Sequence, residues 1–269
     1  MNVYEFMQKI GYSDKAIAVY NEMQVSEELY LAKKAEYYAD EKLFLSTLLN
    51  ETGENYYKAI LYYFTCMGAD LEQKYLDWGF TVEQYIDTFH DLKIWNEMCE
   101  LETGICGLKE VHWISNHLHV GIIRLGRLEF QPGLLEQDAT LGDKIIKKGE
   151  RVYHIHIPFG EPLTKDAIDN SFELAKKYFK KGAYLHLTSW VLDPTLKNLL
   201  KPDSNILAFA SRFNIYKTME RYAIERFVFL IVKENKNDYE PKNSFQRALK
   251  EALLKGQKFY SGFGIIQIK

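Results

Sequence analysis

The chain has 269 residues, 47% of them hydrophobic and 26% charged, and carries a formal net charge of −3. That length suffices for one large domain or two ordinary ones, and an aromatic content of 14% excludes a disordered chain. No basic field exists to hold a phosphate backbone, and no run of about 18 apolar residues offers a membrane span, so neither nucleic acid nor membrane is expected as a partner.

Residues 1–110 are expected to form a helical N-terminal domain, and they contain no proline. Ser13 caps a segment with Ala16, Val19 and Met23 on one face, and Ser26 opens SEELYLAKKAEYYAD. Thr81 and Gln84 form a capping box for the segment carrying Tyr85, Phe89, Leu92 and Met98. Cys66, Cys99 and Cys106 make no CxxC pair, which argues against a disulfide framework or a zinc ribbon and fits a reducing compartment. MNVYEFMQKIGYSDK lacks the charged and apolar halves of a signal peptide, so a cytoplasmic location is expected.

Residues 111–269 change character to α/β, which makes the whole an α+β chain: a helical domain, then a mixed-sheet domain. EVHWISNHLHVGII reads as a helix and RLGRLEFQP as a strand stopped by Pro132. RVYHIHIP alternates strictly, with Tyr153, Ile155 and Ile157 on one face and Val152, His154 and His156 on the other. After the turn at Phe159–Pro162, Thr164 caps a helix with the stripe Ile168, Phe172, Ala175 and Phe179, closed by Lys180, Lys181 and Gly182. YLHLTSWVL then aligns Tyr184, His186, Thr188 and Trp190. A helix between two strands makes them parallel and near neighbours, so three histidines are expected on one sheet face. Further on, NILAFASRFNI reads as a strand, Met219–Glu225 as a helix, RFVFLIV as a buried strand, NSFQRALKEALLKG as a Ser-capped helix and GFGIIQIK as a terminal strand. Gly262 and Gly264 in that last strand point to a bulge or a close backbone approach.

DTFHDLKIW, WISNHLH, RLGRLEFQP, HIPFGEPLT, SWVLDPTLKNLLKPDSNI and QRALKEALLKGQKFYSGFGII resemble a family of bacterial two-domain N-acyltransferases with a GNAT-like C-terminal domain. The resemblance implies acyl transfer from acyl-CoA or acetyl-CoA to an amine of a small molecule or peptide, with no metal. It also implies that the strand–loop–helix beginning at Arg151 grips the acyl-CoA between splayed parallel strands. Ile157, Phe159, Gly160, Leu163, Thr164 and Lys165 would then lie at the cofactor, with the pyrophosphate on N–H groups at the helix N-terminus. PFGEPLT departs from the usual phosphate loop, Gln/Arg-x-x-Gly-x-Gly/Ala: it has one glycine, two flanking prolines without N–H groups and the acidic Glu161.

Acyl transfer needs a base for the amine and a proton for the leaving thiolate. His156, ending the first strand of the pair, is the candidate base, and His186 and Ser189 are candidates beside it. Each histidine also has the plainer reading of a hydrogen-bonded core residue. Trp190 would wall the cleft or sit in the core. Asp203 would contact substrate or make a turn, and Arg127 and Glu129 would bind substrate or form a solvated edge. The spacing His154-x-His156, with His186, leaves a metal-dependent hydrolase open, and a non-catalytic ligand-binding module is a third possibility. The lysines at 176, 177, 180 and 181 read as a solvated helix face.

Overall fold

The computed structural model describes residues 1–221 and 223–269 and divides into two compact units, Met1–Arg124 and Leu125–Lys269. Among the described residues the first unit holds eight helices. They are α1 (Val3–Lys9), α2 (Asp14–Glu22), α3 (Glu27–Ala39), α4 (Glu41–Thr52), α5 (Tyr56–Ala69), α6 (Glu72–Asp77), α7 (Val82–Thr103) and α8 (Val111–Leu118). The caps read from the sequence are formed: the Ser13, Ser26 and Thr81 side chains each accept from a backbone N–H of the first turn, and Gln84 completes the box. Helix α5 is apolar on all sides and is buried from Ala59 to Ala69, as a helix at the centre of a bundle must be. Tyrosines tolerate this core because their hydroxyls find acceptors: Tyr12 meets Thr65 Oγ1 at 2.9 Å, and Tyr85 donates to the Gly68 carbonyl at 2.8 Å. No helix among the described residues is long and apolar enough to cross a membrane.

The second unit is built on a six-stranded sheet whose first strand, β1 (Ile123–Leu125), straddles the division between units. The others are β2 (Leu128–Leu134), β5 (Arg151–His156), β6 (Tyr184–Ser189), β7 (Asn214–Glu220) and β8 (Tyr260–Gln267), in the order β1-β2-β5-β6-β8-β7. Strands β3 (Ala139–Leu141) and β4 (Lys144–Ile146) make a separate hairpin. Only β5 and β6 run parallel among the paired neighbours described, joined by α9 (Lys165–Tyr178). The fold is therefore a helical region followed by a mixed α/β sheet. Helix α9 buries Ile168, Ser171 and Ala175; after it Phe179 stacks on Tyr153 and meets Phe130 edge-on. The β3–β4 hairpin covers the opposite face over Val152, Tyr184 and Ile265. The lysines at 176, 177, 180 and 181 are exposed, as a solvated face should be.

Four local expectations are corrected. NILAFASRFNI is not one strand: Ser204 caps the short helix α10 (Asn205–Ala210), and only Asn214 onward is extended. RFVFLIV lies largely in helix α11 (Ala223–Phe229), and Met219 belongs to β7; Tyr222, within the expected helix, lies outside the described residues. Short apolar runs carry no period that separates a strand from a buried helix, and here a serine cap and the buried Glu225 decide. Glu225 accepts from the Tyr239 hydroxyl at 2.7 Å and from Lys236 at 2.6 Å. Pro132 does not stop its strand but sits inside β2, opposite Tyr153. The cap of α12 (Ser244–Leu254) is Asn243 rather than the serine after it, its side chain accepting from Gln246 N at 2.9 Å.

Candidate active site

The register of three strands fixes the polar face. Glu129 stands opposite His156, Gln131 opposite His154, and His154 opposite His186, so all five residues project from one side of the sheet. Thr188 continues the row and is exposed. Trp190 does not: β6 ends at Ser189, and Trp190 opens a 3-10 turn where it stacks on Phe245 and packs with the Leu196, Ile224, Leu249 and Phe259 cluster. It is half-buried there.

The parallel ladder has three pairs, Val152↔Tyr184, Tyr153↔Leu185 and His154↔His186. Strand β5 runs two residues past the last pair and β6 three. Within the described residues the two strands therefore part at His154 and His186, and main-chain groups from Ile155 onward face the gap. His156 lies half-buried at this opening, its Nε2 3.0 Å from Gln131 Oε1. An amide oxygen only accepts, so Nε2 carries a proton in this contact. Ser189 ends β6 with its alternation toward the α9 side, and its hydroxyl accepts from Val191 N at 3.3 Å. That hydroxyl caps the turn and is not grouped with His156.

His186 is buried and holds two partners. Its Nδ1 lies 3.1 Å from His154 Nδ1, and its Nε2 lies 2.9 Å from the Tyr216 hydroxyl. Burial lowers its pKa to about 4, helped by the neighbouring His154. Burial also lowers His154, against Glu136 and the Leu134 carbonyl, which both favour its charged form. The two rings are thus occupied with each other and with Tyr216, while His156 turns to Gln131. The His154/His156 arrangement does not converge as a metal-binding set would.

The loop from Ile157 to Thr164 leaves the opening toward α9. Ile157 and Phe159 are half-buried, Gly160 is exposed with φ +109°, a conformation other residues rarely adopt, and Leu163 is buried. Thr164 Oγ1 accepts from Ala167 N at 3.3 Å, and Lys165 pairs with Asp169 one turn along. Arg127 precedes the strand that carries Glu129. It lies in the turn before β2, its backbone N–H donating to Ser171 Oγ at 2.7 Å and its Nε to the Glu161 carbonyl at 2.8 Å. Arg127 therefore anchors the loop. Glu129 is fully buried beside His156, whereas Asp203 is exposed in the turn before α10 and off this face.

Sequence reasoning missed Gln131 as the partner of His156, although its alternation in LEFQ carried that signal. Tyr216 had no sequence signal, since it occupies the bulge where β7 slips register against β8 between Ile215 and Lys217. The glycine expectation in β8 holds: a Cβ at Gly262 would lie 2.5 Å from the Leu192 carbonyl oxygen, and one at Gly264 2.7 Å from Leu192 Cδ1.

No curated protein matches this chain. Solved structures do, among them three each with a TM-score of 0.77, 19% identity, and coverage of 99% of this chain and 88% of the other. They are an acyltransferase with decanoyl-CoA and teicoplanin, an acyltransferase with CoA and 10C-teicoplanin, and an acyltransferase mutant with octanoyl-CoA. At that identity the likeness is one of fold. Residues 1–120 match the N-acyltransferase N-terminal domain, and residues 122–266 match the GNAT-like C-terminal domain. The chain belongs to the family that joins these two domains.

Proposed function

We propose that this protein transfers an acyl group from acyl-CoA to an amine, in the gap where β5 and β6 part. The observation that carries the reading is the end of the ladder at His154↔His186 with His156 beyond it. A pantetheine arm is an extended chain with two amides, and it fits main-chain groups that no neighbouring strand takes up. His156 Nδ1 would accept the proton of the attacking amine. The amine nitrogen then bonds to the thioester carbonyl carbon, the oxyanion collapses, the C–S bond breaks, and the thiolate takes a proton to leave as free CoA. The α9 N-terminus, with Thr164 and Lys165, would face the pyrophosphate.

The fold neighbours bind decanoyl-CoA, octanoyl-CoA and teicoplanin, an amine-bearing glycopeptide, so medium-chain acyl-CoA and a peptide-like amine are the first substrates to try. A thermal-shift series with CoA, acetyl-CoA, octanoyl-CoA and decanoyl-CoA should raise the melting temperature, since ligand at 100 times its Kd adds about 2.7 kcal/mol to the folded state. No shift at millimolar concentration with any of them would remove the acyl-CoA reading. His156→Ala should lower turnover by about 10²–10⁴-fold while leaving the CoA-induced shift intact. Unchanged turnover would move the base elsewhere.

A further inference from the structure

We propose that His186 is a positioning residue, the centre of a hydrogen-bond latch, Tyr216–His186–His154, that sets where β5 and β6 part and hence how deeply an acyl-thioester seats. This rests on the acyl-CoA reading above, but the latch has signatures of its own.

His154 and His186 meet through their Nδ1 atoms at 3.1 Å, and His186 Nε2 meets the Tyr216 hydroxyl at 2.9 Å. One of the facing Nδ1 atoms donates and the other accepts, and the roles of Nε2 and the phenol follow from that choice. The chain of bonds runs from β7 to β5 on a single face. It lies at the last pair of the parallel ladder, the position that decides the depth of the gap.

Two further features hold the latch in place. A Cβ at Gly133 would lie 2.5 Å from Cδ2 and Nε2 of His154, so that imidazole lies directly on the glycine of the neighbouring strand. The bulge in β7 falls at Tyr216, where the extra residue turns the phenol toward His186. The groups facing the pair are Glu136 near His154, the Tyr216 phenol, the Phe263 ring and the Leu134 carbonyl. A second proton on the ring whose Nδ1 accepts would set N–H against N–H across the 3.1 Å contact and break the latch.

The test uses the full chain labelled with ¹⁵N-histidine. Long-range ¹H–¹⁵N spectra at pH 7 should show both rings neutral, with one of the two facing Nδ1 atoms protonated and the other bare; both protonated, both bare, or a charged ring in either, overturn the proposal. Gly133→Ala and Tyr216→Phe, each of which leaves both imidazoles present, should weaken acyl-CoA binding about tenfold, the loss expected for one hydrogen bond. Both should raise KM for acyl-CoA with little change in kcat, opposite to His156→Ala. In the unaltered protein KM should climb as the pH falls toward 4. If it binds acyl-CoA and the two variants bind equally well, the latch does not set the gap. If it binds no acyl-CoA, the underlying reading fails and the latch proposal with it.

Discussion

At the scale of single residues, Asp193 does more for the second unit than its place after β6 advertises. It is buried, its Oδ1 accepts from Thr195 N and Thr195 Oγ1, both at 2.8 Å, and its Oδ2 accepts from Tyr260 N at 2.7 Å. Those bonds tie the turn leaving β6 to the start of β8. Asp193→Ala would strand three donors and should cost about 2–3 kcal/mol, read as a lower urea midpoint with an unchanged slope. His186 makes a second residue-scale prediction. Its folded pKa is about 4 against 6.5 for an exposed imidazole, so the unfolded chain takes up the proton first as pH falls. Stability from this residue is complete above about pH 6.5 and is lost on the way down to about pH 4, by ~3 kcal/mol at most. Melting temperatures at pH 7.5 and 4.5 should differ more in the unaltered protein than in His186→Phe.

At the scale of elements, helices with side-chain caps and strands with clean alternation were legible in the sequence, because each announces itself locally. The Thr164 cap, the RVYHIH alternation and the crossover between two parallel strands follow from spacing alone. Thr164→Ala should therefore cost about 1 kcal/mol of stability and Thr164→Ser almost nothing, since only the hydroxyl is needed. What stayed hidden depends on partners far along the chain. The helical state of RFVFLIV rests on Glu225 meeting Tyr239 and Lys236, and the role of Arg127 rests on a carbonyl 34 residues away. His156 and His186 were both visible as histidines on one face. Their division into a ring bonded to Gln131 and a ring locked between two neighbours needed the register and the bulge.

At the scale of the whole molecule, all three cysteines are free and buried, and all lie in the first unit. Intact protein should react slowly with Ellman's reagent, so CoA release can be followed with little background. In denaturant the thiols report the first unit while the His154, His156 and His186 signals report the second; midpoints that differ would show that the units open separately. A net charge of −3 makes the chain an unhelpful host for a polyanionic cofactor, and Glu161 adds to this near the α9 N-terminus. Yet Arg127 Nε holds the main chain at that position through the Glu161 carbonyl. Glu161→Gln should tighten CoA association about two- to fivefold at low ionic strength, an advantage erased by about 0.5 M salt. Whatever residue stands at 161 keeps that carbonyl, so a change of charge there leaves one tether to Arg127 in place.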